Sequence, residues 1–152
     1  MLLTETLAKA VKLFPQKRAV VCCGKDWTYL EFCRRVHRLS RCLKGLGIKK
    51  GDKVAILHPN CHTFLEAYYA IPQIGATSVP INTRLSPGEI AFILKDSESK
   101  LLIADATYKD RLSPIRREIR GVKGILWTGE GRDASPVAEP APKASSRKRI
   151  GE

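Results

Sequence analysis

The chain has 152 residues, a net charge of +12 from 27 Lys and Arg against 15 Asp and Glu, and 43% hydrophobic residues. That is sufficient for one domain with a buried core, and no run approaches the roughly 18 apolar residues that a membrane span requires. Glu5, Lys9 and Lys12 interrupt the apolar positions where a signal-peptide core would lie, so the expected location is the cytosol.

Leu3, Leu7, Ala10, Val11 and Phe14 follow helical spacing, which predicts an amphipathic helix over 4–14. The run from Arg18 to Cys23 predicts a strand entering a turn at Gly24, Lys25 and Asp26. Thr28 with Glu31 three residues later makes a capping box. A helix should start there, run to about Leu46 and stop at Gly47, a residue suited to a left-handed cap. Its apolar stripe is Phe32, Val36, Leu39, Leu43 and Leu46. Lys53–Leu57 is a short apolar run without alternation, as in a strand covered on both faces.

Asn60 is placed to cap a helix from about His62 to Ile74, shortened or kinked at Pro72. Residues 77–81 predict another strand. Ser86-Pro87-Gly88-Glu89 is a second helix start, with a capping serine, proline at the first helical position and glutamate at the third. Residues 100–104 form a further strand ending at Asp105. A helix over 108–120, interrupted at Pro114, and a strand over 122–127 complete the series. Strands alternating with helical crossovers predict an α/β fold with a mostly parallel sheet. From Ala134 to Glu152 the chain has three prolines, three serines and Arg147-Lys148-Arg149 with few large apolar residues. The expectation is a domain over 1–130 followed by a disordered basic tail over 131–152.

The positive charge is concentrated. From Glu31 to Lys53, both included, there are eight basic and two acidic residues. Arg34, Arg38 and Arg41 recur at helical spacing opposite the apolar stripe, as on a solvated helix face. A surface for nucleic acid or an acidic partner is the alternative reading. The five cysteines, Cys22, Cys23, Cys33, Cys42 and Cys61, contain no CxxC pair and read as reduced thiols. His58, Cys61 and His62 are close in sequence, but no second pair follows at ligand spacing, so no metal site is expected.

Three stretches carry a family resemblance. They are Trp27-Thr28-Tyr29-Leu30-Glu31-Phe32, then Gly47 through Gly51-Asp52-Lys53-Val54-Ala55 to Asn60, and then Gly75-Ala76 through Pro80-Ile81-Asn82 and Arg84-Leu85 to Glu89-Ile90. Each is weak singly. In this order and at these intervals, closed by Leu101–Asp105, they resemble the N-terminal part of AMP-forming acyl-CoA ligases of the adenylate-forming superfamily, over residues 1 to about 130. Ile71-Pro72-Gln73 departs from that pattern, where the family has an unbroken helical turn.

The resemblance implies a reaction in which a carboxylate is joined to the AMP part of ATP and then passed to CoA, with ATP, magnesium and CoA as the full-length family's requirements. It implies no catalytic residue here. The sequence contains no Ser/Thr/Gly-rich phosphate loop with Pro-Lys-Gly, and no Walker loop or dinucleotide fingerprint. The chain alone is therefore expected to be inactive and to bind none of these cofactors. It would be the product of a truncated gene, a docking subunit for a separately encoded catalytic part, or a small basic binding module. Arg84 is the one residue carried over, because an arginine at the matching position in some CoA ligases approaches the CoA phosphates. The acyl substrate is not legible.

Overall fold

The computed structural model describes residues 3–129 and 137–140. Helix α1 covers Leu3–Leu13 and buries Leu7. Strands β1 (Arg18–Cys22) and β2 (Lys25–Thr28) form a separate antiparallel hairpin. Residues 25–28, expected as a turn and helix lead-in, are thus a strand. The cause is local: Cys22 pairs with Lys25, and the two residues between them, Cys23 and Gly24, have φ of 54° and 75°. Two successive positive φ values are what a two-residue type I′ hairpin demands.

Helix α2 (Tyr29–Gly45) starts on the expected capping box, with Thr28 and Glu31 satisfying each other's backbone N–H groups. It ends as expected, with Gly47 at φ 83°. Phe32, Val36, Leu39 and Leu43 are buried, each contributing about 1.5–3 kcal/mol relative to exposure. Leu46, assigned to the same stripe, is 37% exposed because it lies beyond the last helical turn as the cap residue. Arg34, Arg38 and Arg41 face solvent.

The main sheet comprises β3 (Lys53–Leu57), β4 (Thr77–Pro80), β5 (Leu101–Asp105), β6 (Gly124–Thr128) and β7 (Val137–Pro140), in the order β4-β3-β5-β6-β7. The first four are mutually parallel and β7 is antiparallel to β6. Val137–Pro140 belong to the segment expected to be a disordered tail; their backbone pairs with β6, which satisfies an edge that would otherwise be open. The rest of that segment, including Arg147-Lys148-Arg149, lies outside the described residues.

Helices α3 (His62–Gln73) and α4 (Pro87–Asp96) cover opposite faces of the sheet. Val54, Ile56, Leu101, Ile103 and Leu126 pack with α2, α3 and Leu7 of α1. Ala55, Leu57, Leu102, Ala104, Ile125 and Trp127 pack with α4 and the segment after β5. Strands buried on both faces explain the continuous apolar runs. Between α2 and α3 polar contacts accompany the apolar ones: Arg35 Nε is ion-paired with Glu66, which is 6% exposed, and Ser40 Oγ donates to the Ala70 carbonyl.

Helix α4 has the expected capping box on Ser86 and Glu89. Helix α3 differs: Cys61, not Asn60, is its N-cap. Pro72 is accommodated in its last turn, and the helix closes through Gly75 N–H to the Pro72 carbonyl at 2.9 Å. The helix expected over 108–120 is reduced to α5 (Lys109–Leu112), flanked by 3-10 turns at Ala106–Tyr108 and Ser113–Ile115. Pro114 has no N–H to continue the ladder.

Candidate functional site at the carboxyl edge of the sheet

Parallel strands place all their C-terminal ends on one edge. From β3 the chain moves to β4 on one side and later to β5 on the other, with α3 and α4 on opposite faces. A reversal of this kind opens a crevice beyond the carboxyl ends of the two diverging strands. His58 follows β3 there, Asp105 closes β5, Thr128 closes β6, and Asn82-Thr83-Arg84 follow β4.

His58 is the centre of this edge. It is 5% exposed, yet both ring nitrogens have polar neighbours. Nε2 is 2.8 Å from Thr128 Oγ1 and 3.5 Å from Asp105 Oδ2. Nδ1 is 3.1 Å from the Pro59 carbonyl and 3.3 Å from Cys61 Sγ. The Pro59 carbonyl can only accept, so Nδ1 carries a proton; Nε2 either accepts from the Thr128 hydroxyl or, when protonated, donates to it while that hydroxyl turns to the Ala104 carbonyl at 3.4 Å. The network accommodates both the neutral Nδ1–H imidazole and the imidazolium. Burial pulls the His58 pKa down, but hydrogen bonding to Cys61 and Pro59 and the charges of Cys61 and Asp105 outweigh it, and the net direction is up. Cys61 moves the other way. Burial raises it, while the His58 hydrogen bond and charge and the nearby Phe64 and Thr63 amides hold the thiol below its usual value.

Asp105 is held in place independently. It accepts from Thr107 N at 2.9 Å and Thr107 Oγ1 at 2.6 Å. Gly129, at φ 91°, leaves room for its carboxylate, since a Cβ at 129 would collide with Asp105 Oδ2.

Arg84 stands on this same edge and is exposed. Its backbone N–H donates to Asn82 Oδ1 at 2.9 Å, and Arg111 Nη1 donates to the Thr83 carbonyl, so the loop that carries it is pinned at two points. His62, grouped with His58 and Cys61 in sequence, belongs elsewhere: its ring stacks on Trp27 with centroids 4.4 Å apart. Among the described residues, no group of three or more His, Cys, Asp or Glu is arranged to hold a metal ion.

A cavity of about 520 Å³ lies at the opposite edge, lined among others by Asp52, Lys53, Ser99, Lys100 and Lys123. It is bounded by strand starts and turns, not by the crevice. Sequence reasoning missed the His58–Asp105–Thr128 convergence. The available signal was that each follows or ends an apolar strand run, which in a parallel sheet puts all three on one edge.

Comparison with known proteins agrees with this architecture. The AMP-binding enzyme family matches residues 7–149. A 4-hydroxybutyrate–CoA ligase of Metallosphaera sedula is 31% identical over 95% of this chain and 26% of its own length. A long-chain-fatty-acid–CoA ligase of Thermus thermophilus is 36% identical over 91% of this chain and 29% of its own. Among solved structures, a putative long-chain-fatty-acid CoA ligase from Rhodopseudomonas palustris superposes with a TM-score of 0.80 at 32% identity, over 88% of this chain and 34% of that one. The N-terminal domain of FACL13 from Mycobacterium tuberculosis gives 0.79 at 33% identity, over 82% and 33%. The chain thus spans about a quarter to a third of the length of these proteins. Its sequence and fold place it, as an N-terminal segment, in the AMP-binding enzyme family of acyl-CoA ligases.

Proposed function

We propose that this chain forms the N-terminal scaffold of an AMP-forming acyl-CoA ligase, and that the acyl-transfer chemistry resides in the further sequence that its relatives carry. The observation that supports this is the strand-order reversal at the carboxyl edge, in a fold shared with ligase N-terminal domains. The sequence has no glycine-rich phosphate loop with lysine, and among the described residues the carboxylate that closes a strand at the carboxyl edge, Asp105, is already engaged with Thr107. ATP and magnesium therefore do not fit the described residues of this segment alone. The 152-residue chain should catalyse no ATP–pyrophosphate exchange with short, long or aromatic carboxylic acids. Clear turnover by the chain alone would overturn the scaffold reading.

CoA fits better. An exposed guanidinium on a pinned loop suits a phosphate contact, and Arg84 is assigned that role. In a full-length ligase that carries this segment, calorimetric titration with CoA should show binding that Arg84→Ala weakens; equal binding by both would remove Arg84 from the site. A docking partner that completes the ligase is part of this proposal, and co-purification with such a chain tests it.

A second reading rests on the solvent-facing Arg34, Arg38 and Arg41 of α2. They would hold nucleic acid or an acidic partner by charge, and salt-dependent retention on DNA or RNA is the discriminating measurement.

A further inference from the structure

We propose that Cys61 is a reactive thiol, a site of thiol–disulfide exchange and of alkylation by small electrophiles, prepared by the buried imidazole of His58. This does not depend on the ligase reading. It rests on an arrangement that spans three loops of the parallel sheet: Cys61 at the head of α3, His58 3.3 Å away after β3, and Asp105 and Thr128 behind the imidazole at the ends of β5 and β6. A nucleophile beside a base that is itself held by a third group is the general geometry of an activated thiol. The Pro59 carbonyl can only accept, so His58 Nδ1 carries a proton, and the Cys61 sulfur lies 3.3 Å from that N–H donor. The head of α3 adds the positive end of a 12-residue helix.

The other cysteines set the contrast. Cys33 and Cys42 are pushed up by burial. Cys23 is exposed, but its hydrogen bond and charge interaction with Cys22, 3.3 Å away, push it up as well. Cys61 is only partly exposed, yet it is the thiol held down. Its titration is set by the groups that face it. His58 and the Thr63 and Phe64 amides favour the thiolate, and Cys23 of the β1–β2 hairpin interacts with it by charge. Asp105 acts on it through His58. Lys25, Arg35 and Glu66 act on His62, the next residue along.

With a disulfide RS–SR′, the Cys61 thiolate attacks one sulfur. A new bond forms between Cys61 Sγ and that sulfur as the original S–S bond breaks. The departing thiolate carries the bonding pair and takes the proton from the His58 imidazolium. One disulfide is consumed and one is formed, so no further oxidant is required. His58 is a positioning and proton-donating residue for this step.

The test is residue-resolved alkylation of the folded 152-residue chain by iodoacetamide, read by peptide mass spectrometry from pH about 5 to about 9. Cys61 should react about ten-fold faster than the more exposed Cys23 near pH 6.5, with its midpoint displaced below that of an ordinary thiol. His58→Gln should slow Cys61 about ten-fold at that pH and return its midpoint toward the ordinary value. Asp105→Asn should move the midpoint in the same direction by less. Ellman's disulfide reagent should give the same order, with Cys61→Ser removing the fast phase. Equal or slower reaction of Cys61 than of Cys23 overturns the proposal, and so does an unchanged pH profile in His58→Gln. If His58→Gln does not fold, as judged by circular dichroism, the wild-type ratio of Cys61 to Cys23 decides alone.

Discussion

The two edges of the parallel sheet use their polar residues in opposite ways. At the amino edge they close the fold. Asp52 accepts from Lys49 N at 2.9 Å and pairs with Lys100. Backbone bonds from Thr77 to Asp52, from Lys100 to Lys53 and from Lys123 to Lys100 run straight across the strand starts. At the carboxyl edge a buried, protonatable histidine faces a thiol and a carboxylate, and an exposed arginine projects from a pinned loop. The difference follows from direction: strand starts receive turns that must be stitched, while strand ends open onto a crevice where the chain diverges. The cavity at the amino edge thus lies among groups that close the fold.

Both edges depend on a rigid centre. Leu102 is fully buried in the middle of β5, and Leu102→Ala should cost about 3 kcal/mol in urea unfolding. A cost near zero would mean that the strands do not hold the two edges in register. Gly129→Ala should cost about 1–3 kcal/mol, because it combines a left-handed backbone with a collision at the Asp105 carboxylate. It should also disturb Cys61 reactivity, whereas a core substitution of equal cost should not while the chain remains folded.

Asp52 sharpens the contrast through pH. Its hydrogen bond from Lys100, then that from Lys49, hold its carboxyl below the usual value, so the folded state favours the ionised form. The stabilisation is therefore present above the unfolded pKa, about 3.9, and lost as pH falls through the lower folded value. Asp52→Asn should be less stable than wild type at neutral pH, with the gap closing below pH about 4. A gap that persists in acid would make the role of Asp52 steric. Arg84→Ala, at the other edge, should change stability by no more than about 0.5 kcal/mol in the same assay, since the side chain is exposed.

Much of the fold was legible because its signals are local. Thr28 with Glu31 and Ser86 with Glu89 announced both capped helices, the unalternating run at 53–57 announced a strand covered on both faces, and the run at 100–104 announced a further strand. The readings that failed turn on alternatives that local pattern does not separate. Cys23-Gly24 makes the hairpin turn that Asn-Gly would have advertised. Asn60 is a good cap by type, yet the chain enters α3 one residue later, at Cys61. Leu46 continues the stripe by number but lies past the end of the helix.

The sequence by itself determined the family, the alternation of strand and helix, and the exposed arginine face of α2. These are written in contiguous residues: caps, periodicity and ordered motifs. Only the tertiary structure decided that His58, Asp105 and Thr128 meet, that Cys61 joins them and His62 does not, and that Val137–Pro140 pair with β6. Their separations in sequence, 47 residues from His58 to Asp105 and 23 more to Thr128, exceed anything that a helical or strand period reports. The partners are set by the order β4-β3-β5-β6, which places the ends of strands distant in sequence side by side.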